Sequence, residues 1–295
     1  MAIYNLGSIN IDHFYRLPHL PRPGETLAAG SYAQGLGGKG ANQSVAAARA
    51  GARVHHIGAI GAEGAPMRAK MQAAGVECAQ VADLPGATGH AIILLDAYGE
   101  NSIVLYPGVN RDITPEAAIA ALGSARPGDV LILQNETSAQ VEAARFAREQ
   151  GLFVVYSAAP FEAEAVRAIL PYVDLLLLNA LEAEQFAAAT GQPVTAAGVP
   201  NVVITQGSEG ADWHDCAGSE RFSQPAFPTE VVDTTGAGDT FAGYLVAALA
   251  EGLAPRAAMR LAAAAGAVKV QRAGTADAIP ARAEVEAFLT AQPSE

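Results

Sequence analysis

The chain has 295 residues, enough for one large α/β domain or two modest ones, and 51% of them are hydrophobic, which indicates a substantial buried core. Acidic residues outnumber basic residues by 30 to 18, so the formal net charge is -12 at pH 7. A charge of this sign repels nucleic acid and anionic membrane surfaces at long range. We therefore expect neither nucleic acid nor a membrane as a partner, and any bound phosphate must be held by local groups.

The cysteines and the N-terminal residues indicate the compartment. Cys78 and Cys216 lie far apart and form no C-x-x-C arrangement, so neither a disulfide framework nor a zinc site is expected. The first residues lack the basic region and long apolar stretch of a signal peptide. No run approaches the roughly 18 apolar residues of a membrane span. The sequence predicts a cytoplasmic protein.

The first part of the chain mixes strands with helices. A strand is predicted at 2–9, a turn-rich segment with three prolines at 17–24, and short strand material at 25–34. A glycine turn at 35–40 then leads into a helix that ends near Gly51. The elements that follow are a strand at 54–57, a helix at 64–74 and a strand at 76–81.

A hairpin interrupts this pattern. Two β-rich runs flank residues 97–100, whose composition is typical of a hairpin turn. The β-rich segments at about 14–34 and 90–106 cannot both be crossover units between parallel strands. We predict that they form a small β lid packed over one edge of a larger sheet.

Strands and helices alternate from residue 114 onward. Helices are predicted at 115–122, 138–150, 163–170 and 181–189, and strands at 129–133, 153–156, 174–178 and 201–205. Two Ala-rich helices and a short last one finish the chain. This alternation predicts an α/β fold, a doubly wound and mainly parallel sheet with helices on both faces, in a single domain over residues 1–295.

One stretch near the C-terminal end, V-V-D-T-T-G-A-G-D-T-F at 231–241, joins an apolar run to a helix. The run at Val231 and Val232 is predicted to end a strand, and Gly236 and Gly238 sit where the helix begins. Unpaired N–H groups and the positive end of the helix dipole make such a start suitable for a phosphate. Asp239 would repel that phosphate, so a carboxylate at this position is expected to have a chemical role, such as receiving a proton from an attacking hydroxyl. The alternative is that it only complements the helix N-terminus.

A second glycine-rich stretch, G-L-G-G-K-G at 35–40, matches the dinucleotide pattern G-x-G-x-x-G but lacks its context. The next strand ends in Gly-Ala-Ile and carries no acid at its tip. A Walker A motif is also excluded because Gly40 follows Lys39. What remains is a helix start with Lys39 and Asn42 that suits a polyhydroxylated ligand, or a tight turn with a solvated lysine.

Polar residues follow other predicted strands. Asn10 and Asp12 could chelate a vicinal diol or cap their own loop, and Glu136 could accept another hydroxyl. Asn179 and Glu182 could hold the water shell of Mg²⁺, although Asn179 could equally be a helix N-cap. The glycine-containing loop T-Q-G-S-E-G at 205–210 could accept the phosphates or ribose of a nucleotide.

Taken together, these motifs resemble the ribokinase-like (PfkB) sugar kinase family over nearly the whole chain. The resemblance is carried by G-S-I-N-I-D at 7–12, G-G-K-G-A-N at 37–42, Asn-x-x-Glu at 179–182 and D-T-T-G-A-G-D-T-F at 233–241, in this order. Residues 99–115 are most similar to ribokinases proper. The family fold is a doubly wound sheet with a small β lid, in agreement with the fold predicted above.

The resemblance implies roles for particular residues. Asp239 would take the proton of a primary hydroxyl, and Gly236, Ala237 and Gly238 would offer N–H groups to the transferred phosphoryl group. The sugar would contact Asn10, Asp12, Gly38, Lys39, Asn42, Glu136 and Asp239. ATP would lie along Asn179, Thr205, Gly207, Ser208, Gly210 and Gly238. Mg²⁺ would be held through water by Asn179 and Glu182. A monovalent cation, usually K⁺, would be held by Asp233, Thr235, Lys269, Arg272 and Gly274, mostly through backbone carbonyls.

Four positions depart from the family pattern. Ala278 stands where ribokinases commonly supply a hydroxyl to the cation, which counts against K⁺ activation. Ala180 replaces the usual acid after Asn179, which weakens the expected contacts to metal-bound water. Asn135 and His90 replace smaller or apolar residues and could reshape the sugar pocket.

We therefore predict an ATP-dependent kinase that phosphorylates the primary hydroxyl of a small sugar, D-ribose first. The alternative within this class is a kinase for another ketose, a deoxy sugar or a nucleoside. The alternative from another class is a catalytically silent sugar-binding protein on the same fold. Exposed apolar β edges at 92–95 or 103–105 predict a homodimer formed through the lid.

Overall fold

The computed structural model describes residues 1–98, 100–218 and 220–292. Strands β1 to β13 are Ala2–Leu6, Asn10–Arg16, Ser31–Gly37, Arg53–Ile60, Glu77–Asp83, Gly89–Leu95, Asn101–Tyr106, Val130–Gln134, Phe153–Ser157, Leu175–Asn179, Asn201–Thr205, Ala211–Asp215 and Arg221–Gln224. Helices α1 to α9 are Lys39–Arg49, Ala65–Ala73, Pro115–Ala121, Gln140–Glu149, Ala163–Ile169, Ala180–Thr190, Ala237–Glu251, Pro255–Val270 and Arg282–Thr290. Among these residues no helix is both long and apolar enough to cross a membrane.

The larger sheet has the strand order β13-β12-β11-β10-β9-β8-β1-β4-β5. All neighbours from β5 to β11 pair in parallel, and β12 and β13 form an antiparallel edge. Helices pack on both faces. This architecture confirms the predicted doubly wound, mainly parallel sheet, and it places the first strand of the chain in the interior of the sheet, between β4 and β8.

Strand β10 shows why the sheet needs helices on both sides. Its four consecutive leucines are all buried, and successive side chains of a strand point to opposite faces. Leu175 and Leu177 pack into a core with α1, α7 and α8, whereas Leu176 and Leu178 pack into a second core with α4, α5 and α6. A strand that is apolar on both faces is stable only when both faces are covered.

The second, smaller sheet that the sequence predicts is also present, with the order β3-β2-β6-β7. Its strands extend beyond the expected segments, since β2 begins at Asn10 and β3 ends at Gly37. Residues 25–30, predicted as strand material, are not a strand. The Gly30 N–H donates to the Arg16 carbonyl and closes this connection as a loop before β3 begins. That this small sheet, with segments 14–34 and 90–106, acts as a lid stays a prediction.

The segment before α7 differs from the prediction. Val231 and Val232, expected to end a strand, are irregular and 59% exposed, and they pair with no strand among the described residues. The N–H groups of Val232 and Asp233 instead donate to the Val270 carbonyl at the end of α8, at 2.7 and 3.0 Å. The loop leading to α7 is therefore fixed by a helix end.

The predicted hairpin is formed by β6 with β7, and β12 and β13 form a second hairpin. Of their turns, Gly99 and Ser219 lie outside the described residues. Strand β7 lies at the edge of the small sheet, and all six of its residues are exposed. Within the part of the chain that the structure describes, the small sheet therefore ends in an apolar strand that has one unpaired side.

Candidate active site

The candidate site lies at the carboxyl ends of β1 and β8, where the order of the strands reverses. From β1 the chain builds outward to β4 and β5, and it then returns to β8 and continues to the opposite edge. Parallel sheets bind ligands in the crevice at such a switch point. Ser8 follows β1, Glu136 follows β8, and the Ser8 hydroxyl donates to the Glu136 carboxylate. The two strand ends are thus joined across the crevice.

Helix α1 begins inside this crevice because two glycines let its backbone touch the end of β1. A Cβ on Gly40 would lie 2.3 Å from the Cα of Gly7, and a Cβ on Gly7 would lie 2.5 Å from the Cα of Gly40. Larger residues are therefore excluded at both positions. The close approach lets the Lys39 N–H donate to Glu136 Oε2 at 3.0 Å, and Gly38 precedes the helix as its N-cap.

Asp239 is held in the first turn of α7 by two side chains of α1. Asn42 Nδ2 donates to Asp239 Oδ2 at 3.1 Å, and Gln43 Nε2 donates to Asp239 Oδ1 at 3.0 Å. The Asp239 residue is 9% exposed. Because both donors are neutral amides, they fix the direction of the carboxylate without supplying a counter-charge.

Immediately before this carboxylate lies the anion turn, which we define as Gly236, Ala237 and Gly238. Gly236 has φ 73, in the left-handed region that favours glycine, and is the N-cap of α7. The Ala237 N–H donates to the Thr234 carbonyl at 3.1 Å, whereas the N–H groups of Gly236 and Gly238 have no acceptor among the described residues. Two of the three predicted donors are therefore free, at the positive end of the α7 dipole.

The charged groups of the site influence one another strongly. Burial, followed by the charges of Glu136 and Asp239, raises the pKa of Asp12 to about 7. The charge of Asp239 raises the pKa of Lys39, burial opposes this, and the charges of Glu136 and Glu182 add to it. Burial also raises the pKa of Glu182. The structure thus brings these five residues, predicted from separate motifs, into one cleft.

Two amide side chains face the same cleft. Asn10 is buried, and its Oδ1 accepts from Asn110 Nδ2 at 2.9 Å, which leaves the Asn10 NH₂ group to donate elsewhere. Asn42 Oδ1 is buried and has no hydrogen-bond partner among the described residues. A buried acceptor in this state costs free energy until a donor arrives, so it is suited to a ligand hydroxyl.

A buried chain of hydrogen bonds, which the sequence analysis does not predict, extends behind the carboxylate on α7. Gln134 Nε2 donates to Gln43 Oε1 at 2.8 Å and to Asn5 Oδ1 at 2.9 Å. Asn5 Nδ2 donates to Ser44 Oγ at 2.8 Å, and Ser44 Oγ lies 2.8 Å from His56 Nδ1. Burial lowers the pKa of His56 to about 4, so this chain is neutral near pH 7. The available signal was the presence of polar residues inside the apolar strands β1, β4 and β8.

The residues predicted for the nucleotide lie at neighbouring strand ends. Asn179 ends β10 and Thr205 ends β11, and the two are paired in register. Beyond Thr205, the single turn Gly207–Glu209 contains Ser208 and is followed by Gly210. These residues therefore form one continuous rim beside the cleft.

Asn179 and Glu182 form a capping box at the start of α6. Asn179 Oδ1 accepts from the Glu182 N–H at 2.8 Å, and Glu182 Oε2 accepts from the Asn179 N–H at 2.9 Å. The alternative interpretation of Asn179 as an N-cap is therefore what the structure shows. The second oxygen of Glu182 makes no hydrogen bond to the described residues and can hold a metal-bound water.

The residues predicted for a monovalent cation surround the loop before the anion turn. Asp233 Oδ1 accepts from the Thr235 N–H at 2.9 Å, and Asp233 Oδ2 accepts from the Gly274 N–H at 2.8 Å. Burial alone would raise the pKa of Asp233, but hydrogen bonds from the Thr235 side chain and from the Gly274 and Thr235 N–H groups, together with the Lys269 charge, hold it below its usual value. Lys269 Nζ donates to the Asp233 carbonyl at 2.8 Å, and the Arg272 guanidinium extends to an acid of α9.

Two residues expected to reshape the sugar pocket do not face it. His90 is paired with Ile11, so it lies on the opposite face of the small sheet from Asp12 and packs against an aromatic ring of β7. Asn135 is buried, and its Nδ2 donates to the Pro160 carbonyl at 2.9 Å. The backbone register and a local hydrogen bond set where these two side chains point, and their effect on a sugar pocket stays a prediction.

The arrangement is suited to moving a phosphoryl group onto a hydroxyl. A fixed carboxylate lies beside free N–H groups at a helix start, and amides, a lysine and further acids line the space in front of it. Phosphoryl transfer depends mainly on such positioning and electrostatic stabilisation. Fold and site together define a kinase of small hydroxyl compounds. The chain belongs to the pfkB family of carbohydrate kinases, whose family model matches residues 3–282.

Relatives of known identity align with almost the whole chain. A ribokinase of Haemophilus influenzae is 35% identical, and the alignment covers 96% of this chain and 97% of that protein. The crystal structure of a ribokinase from Thermotoga maritima superposes with a TM-score of 0.88 at 31% identity, covering 98% and 99% of the two chains. The structure of Arabidopsis thaliana ribokinase complexed with ribose and ATP gives a TM-score of 0.84 at 28% identity, covering 99% and 100%.

Proposed function

We propose that this protein transfers the γ-phosphoryl group of ATP to the primary hydroxyl of D-ribose. The observation that carries the proposal is the Asp239 carboxylate, fixed by Asn42 and Gln43 beside the free N–H groups of the anion turn. The similarity to ribokinases over nearly the full length supports ribose as the acceptor.

The sugar binds between the small sheet and the start of α1. The Asp12 carboxylate and Asn42 Oδ1 accept hydrogen bonds from sugar hydroxyls, and the Asn10 NH₂ group and the Lys39 ammonium donate to hydroxyl oxygens. Glu136 orders the Lys39 backbone, and its carboxylate accepts a further hydroxyl. Gly38, at the N-cap of α1, lets the sugar approach the backbone closely.

The transfer step uses one proton acceptor and one anion site. The primary hydroxyl gives its proton to Asp239 as its oxygen bonds to the γ-phosphorus, and the bond from that phosphorus to the ADP oxygen breaks. The N–H groups of Gly236 and Gly238 stabilise the charge on the phosphoryl oxygens, joined by Ala237 if its turn opens. Because these donors are fixed before the reaction, little reorganisation is needed during it.

The nucleotide lies along the rim formed by Asn179, Thr205, Gly207, Ser208 and Gly210, with its terminal phosphate at Gly238. Glu182 offers its second carboxylate oxygen to the water shell of Mg²⁺, beside the capping contact of Asn179. The metal ion supplies charge neutralisation to the phosphates when bound.

The assembly we propose is a homodimer formed through the small sheet. The six exposed residues of β7 include Ile103, Val104 and Leu105, and they end the sheet with an unpaired edge. Such an edge favours pairing with a second copy. Closure of the small sheet over the sugar would keep water, a competing acceptor, out of the cleft. We place the reaction in the cytoplasm, where the exposed thiol of Cys216 stays reduced.

A panel of acceptors in an ADP-release assay tests the proposed function. D-ribose is expected to give the highest kcat/KM, above 2-deoxyribose, a ketose and a nucleoside. A higher value for one of these others would replace ribose as the acceptor. If none of them supports ADP release while ribose still binds in calorimetry, the protein is a silent sugar-binding protein.

A further inference from the structure

Lys269, in the last turn of α8, is fully buried, which is unusual for an ammonium group. Its relative exposure is 0%, and its Nζ donates to the backbone carbonyl of Asp233 at 2.8 Å. Lysine is almost never fully buried unless it is paired, because taking an ammonium group out of water is costly. The position therefore requires an explanation beyond packing.

The carbonyl that Lys269 contacts belongs to the loop that carries the anion turn. Asp233 is held by hydrogen bonds of both its backbone and its side chain. Its N–H donates to the Val270 carbonyl, and its carboxylate accepts from the Thr235 and Gly274 N–H groups. Three residues later, Gly236 begins the anion turn. The ammonium thus lies among the contacts that fix the path of the backbone into the phosphoryl-binding turn.

The surroundings of Asp233 do not fit the K⁺ ion that the family resemblance implies. The predicted ligands of an alkali cation are mostly backbone carbonyls, and two of these already accept hydrogen bonds: the Asp233 carbonyl from the Lys269 ammonium at 2.8 Å, and the Lys269 carbonyl from the Arg272 N–H at 3.0 Å. Ala278 is buried and offers a methyl group where a hydroxyl would be needed. A K⁺ ion here would also meet the positive charge of Lys269.

We propose that the Lys269 ammonium is the fixed cation of this loop and takes the place of an exchangeable monovalent ion. It is a positioning residue: by binding the Asp233 carbonyl it holds residues 233–238 so that Gly236 and Gly238 present their N–H groups to the phosphoryl group. Its charge also favours the negative charge that collects at the anion turn. The Asp233 carboxylate balances this charge when no ligand is bound. The kinase therefore works without K⁺, and this inference rests on the proposed function.

The first test is the response of the unaltered enzyme to K⁺. Rates of ribose-dependent ADP release are measured in KCl and in choline chloride at equal ionic strength. We expect the two rates to agree within about twofold, and the melting temperature to show no K⁺-specific shift. Strong activation by K⁺, or a K⁺-specific rise in melting temperature, would overturn the proposal while leaving the kinase function intact. No turnover in either salt would instead overturn the proposed function.

Two substitutions distinguish the effect of the Lys269 charge from the effect of the space that its side chain fills. Lys269→Ala removes the ammonium and leaves room, so kcat should fall roughly 10²-fold in choline chloride and recover substantially in KCl. Lys269→Met removes the charge but fills the space, so kcat should fall similarly and stay low in KCl. Binding of Tl⁺, a K⁺ substitute visible by ²⁰⁵Tl NMR, should appear with Lys269→Ala and be absent with the other two proteins.

The matched methionine variant keeps the volume of the side chain, and its melting temperature, measured beside that of the unaltered enzyme, shows whether the fold is intact when activity is compared. Near-normal activity of Lys269→Met without K⁺ would contradict the proposal, since space-filling alone would then be enough. Equal responses of both variants to K⁺ would contradict it as well.

Discussion

Asp12 is a side chain of the cleft whose ionisation the fold opposes. Burial and the neighbouring charges of Glu136 and Asp239 raise its pKa from 3.8 to about 7. Between these two values the folded protein holds a proton that the unfolded chain has released. Stability contributed by the neutral Asp12 is therefore present at low pH and is lost as the pH rises to about 7.

This linkage gives a prediction for the ligand-free protein. Asp12→Asn should raise the free energy of unfolding above pH 7 by on the order of 4 kcal/mol, and the gain should shrink toward zero near pH 4. Urea unfolding across this pH range measures it. Asp112→Asn, at an exposed position, is the control for the substitution itself. A gain that grows toward acidic pH would contradict the assignment.

At this residue scale, sequence motifs predicted the residues of the cleft but not what orients them. Asn42 and Asp239 stand in recognisable glycine-rich motifs, whereas Gln43, which also holds the Asp239 carboxylate, follows Asn42 as an ordinary helix residue. Its importance depends on Gln134, far away in sequence, at the end of β8. Only the packed structure brings such distant polar residues into contact.

At the scale of elements, the packing of α7 on α1 fixes the site. Gly243 of α7 faces α1 so closely that a Cβ there would lie 2.5 Å from Ala46 Cβ and 2.6 Å from the Gln43 carbonyl oxygen. This contact lies one turn after Asp239, so it sets how near the carboxylate comes to its two amide donors. A Cβ added to Gly266 of α8, by contrast, would extend into open space.

The two glycines give a matched pair of substitutions. Gly243→Ala should destabilise the protein by about 1–3 kcal/mol and also lower kcat, because it pushes α7 away from α1. Gly266→Ala should stabilise it by about 0.5–1 kcal/mol at unchanged kcat, since alanine favours a helix and meets nothing. Denaturant unfolding and steady-state kinetics check both. Equal effects of the two changes would show that the close approach of α7 and α1 does not matter.

Helices and strands were predicted correctly where the spacing of apolar residues in the sequence reflects which faces are buried. The four leucines of β10 and the alternation after residue 114 predicted the parallel sheet, since both patterns follow from covering two faces. The strand expected at Val231 and Val232 was wrong, because apolar residues in a loop held by hydrogen bonds to α8 have the same local composition as a strand end. Local composition does not specify which element supplies the hydrogen-bond partners of the backbone.

At the scale of the whole molecule, the small sheet leaves apolar side chains of its edge strand exposed to solvent. Ile103, Val104 and Leu105 are 55%, 63% and 49% exposed on an edge strand. We expect the native mass to be that of a dimer. Val104→Glu should shift it toward the monomer by placing a charge in the interface, whereas Leu181→Glu, equally exposed on α6, should leave the mass unchanged. Light scattering decides, and a monomer for the unaltered protein would exclude the dimer.

The central claim is that Asp239 receives the proton of the sugar hydroxyl. The most direct measurement compares Asp239→Asn with the unaltered enzyme, using calorimetry for ribose binding and ADP release for turnover. The amide keeps the size of the side chain, so ribose should bind within about tenfold of the original affinity, while kcat should fall by roughly 10²-fold or more. Turnover close to that of the unaltered enzyme would contradict the account.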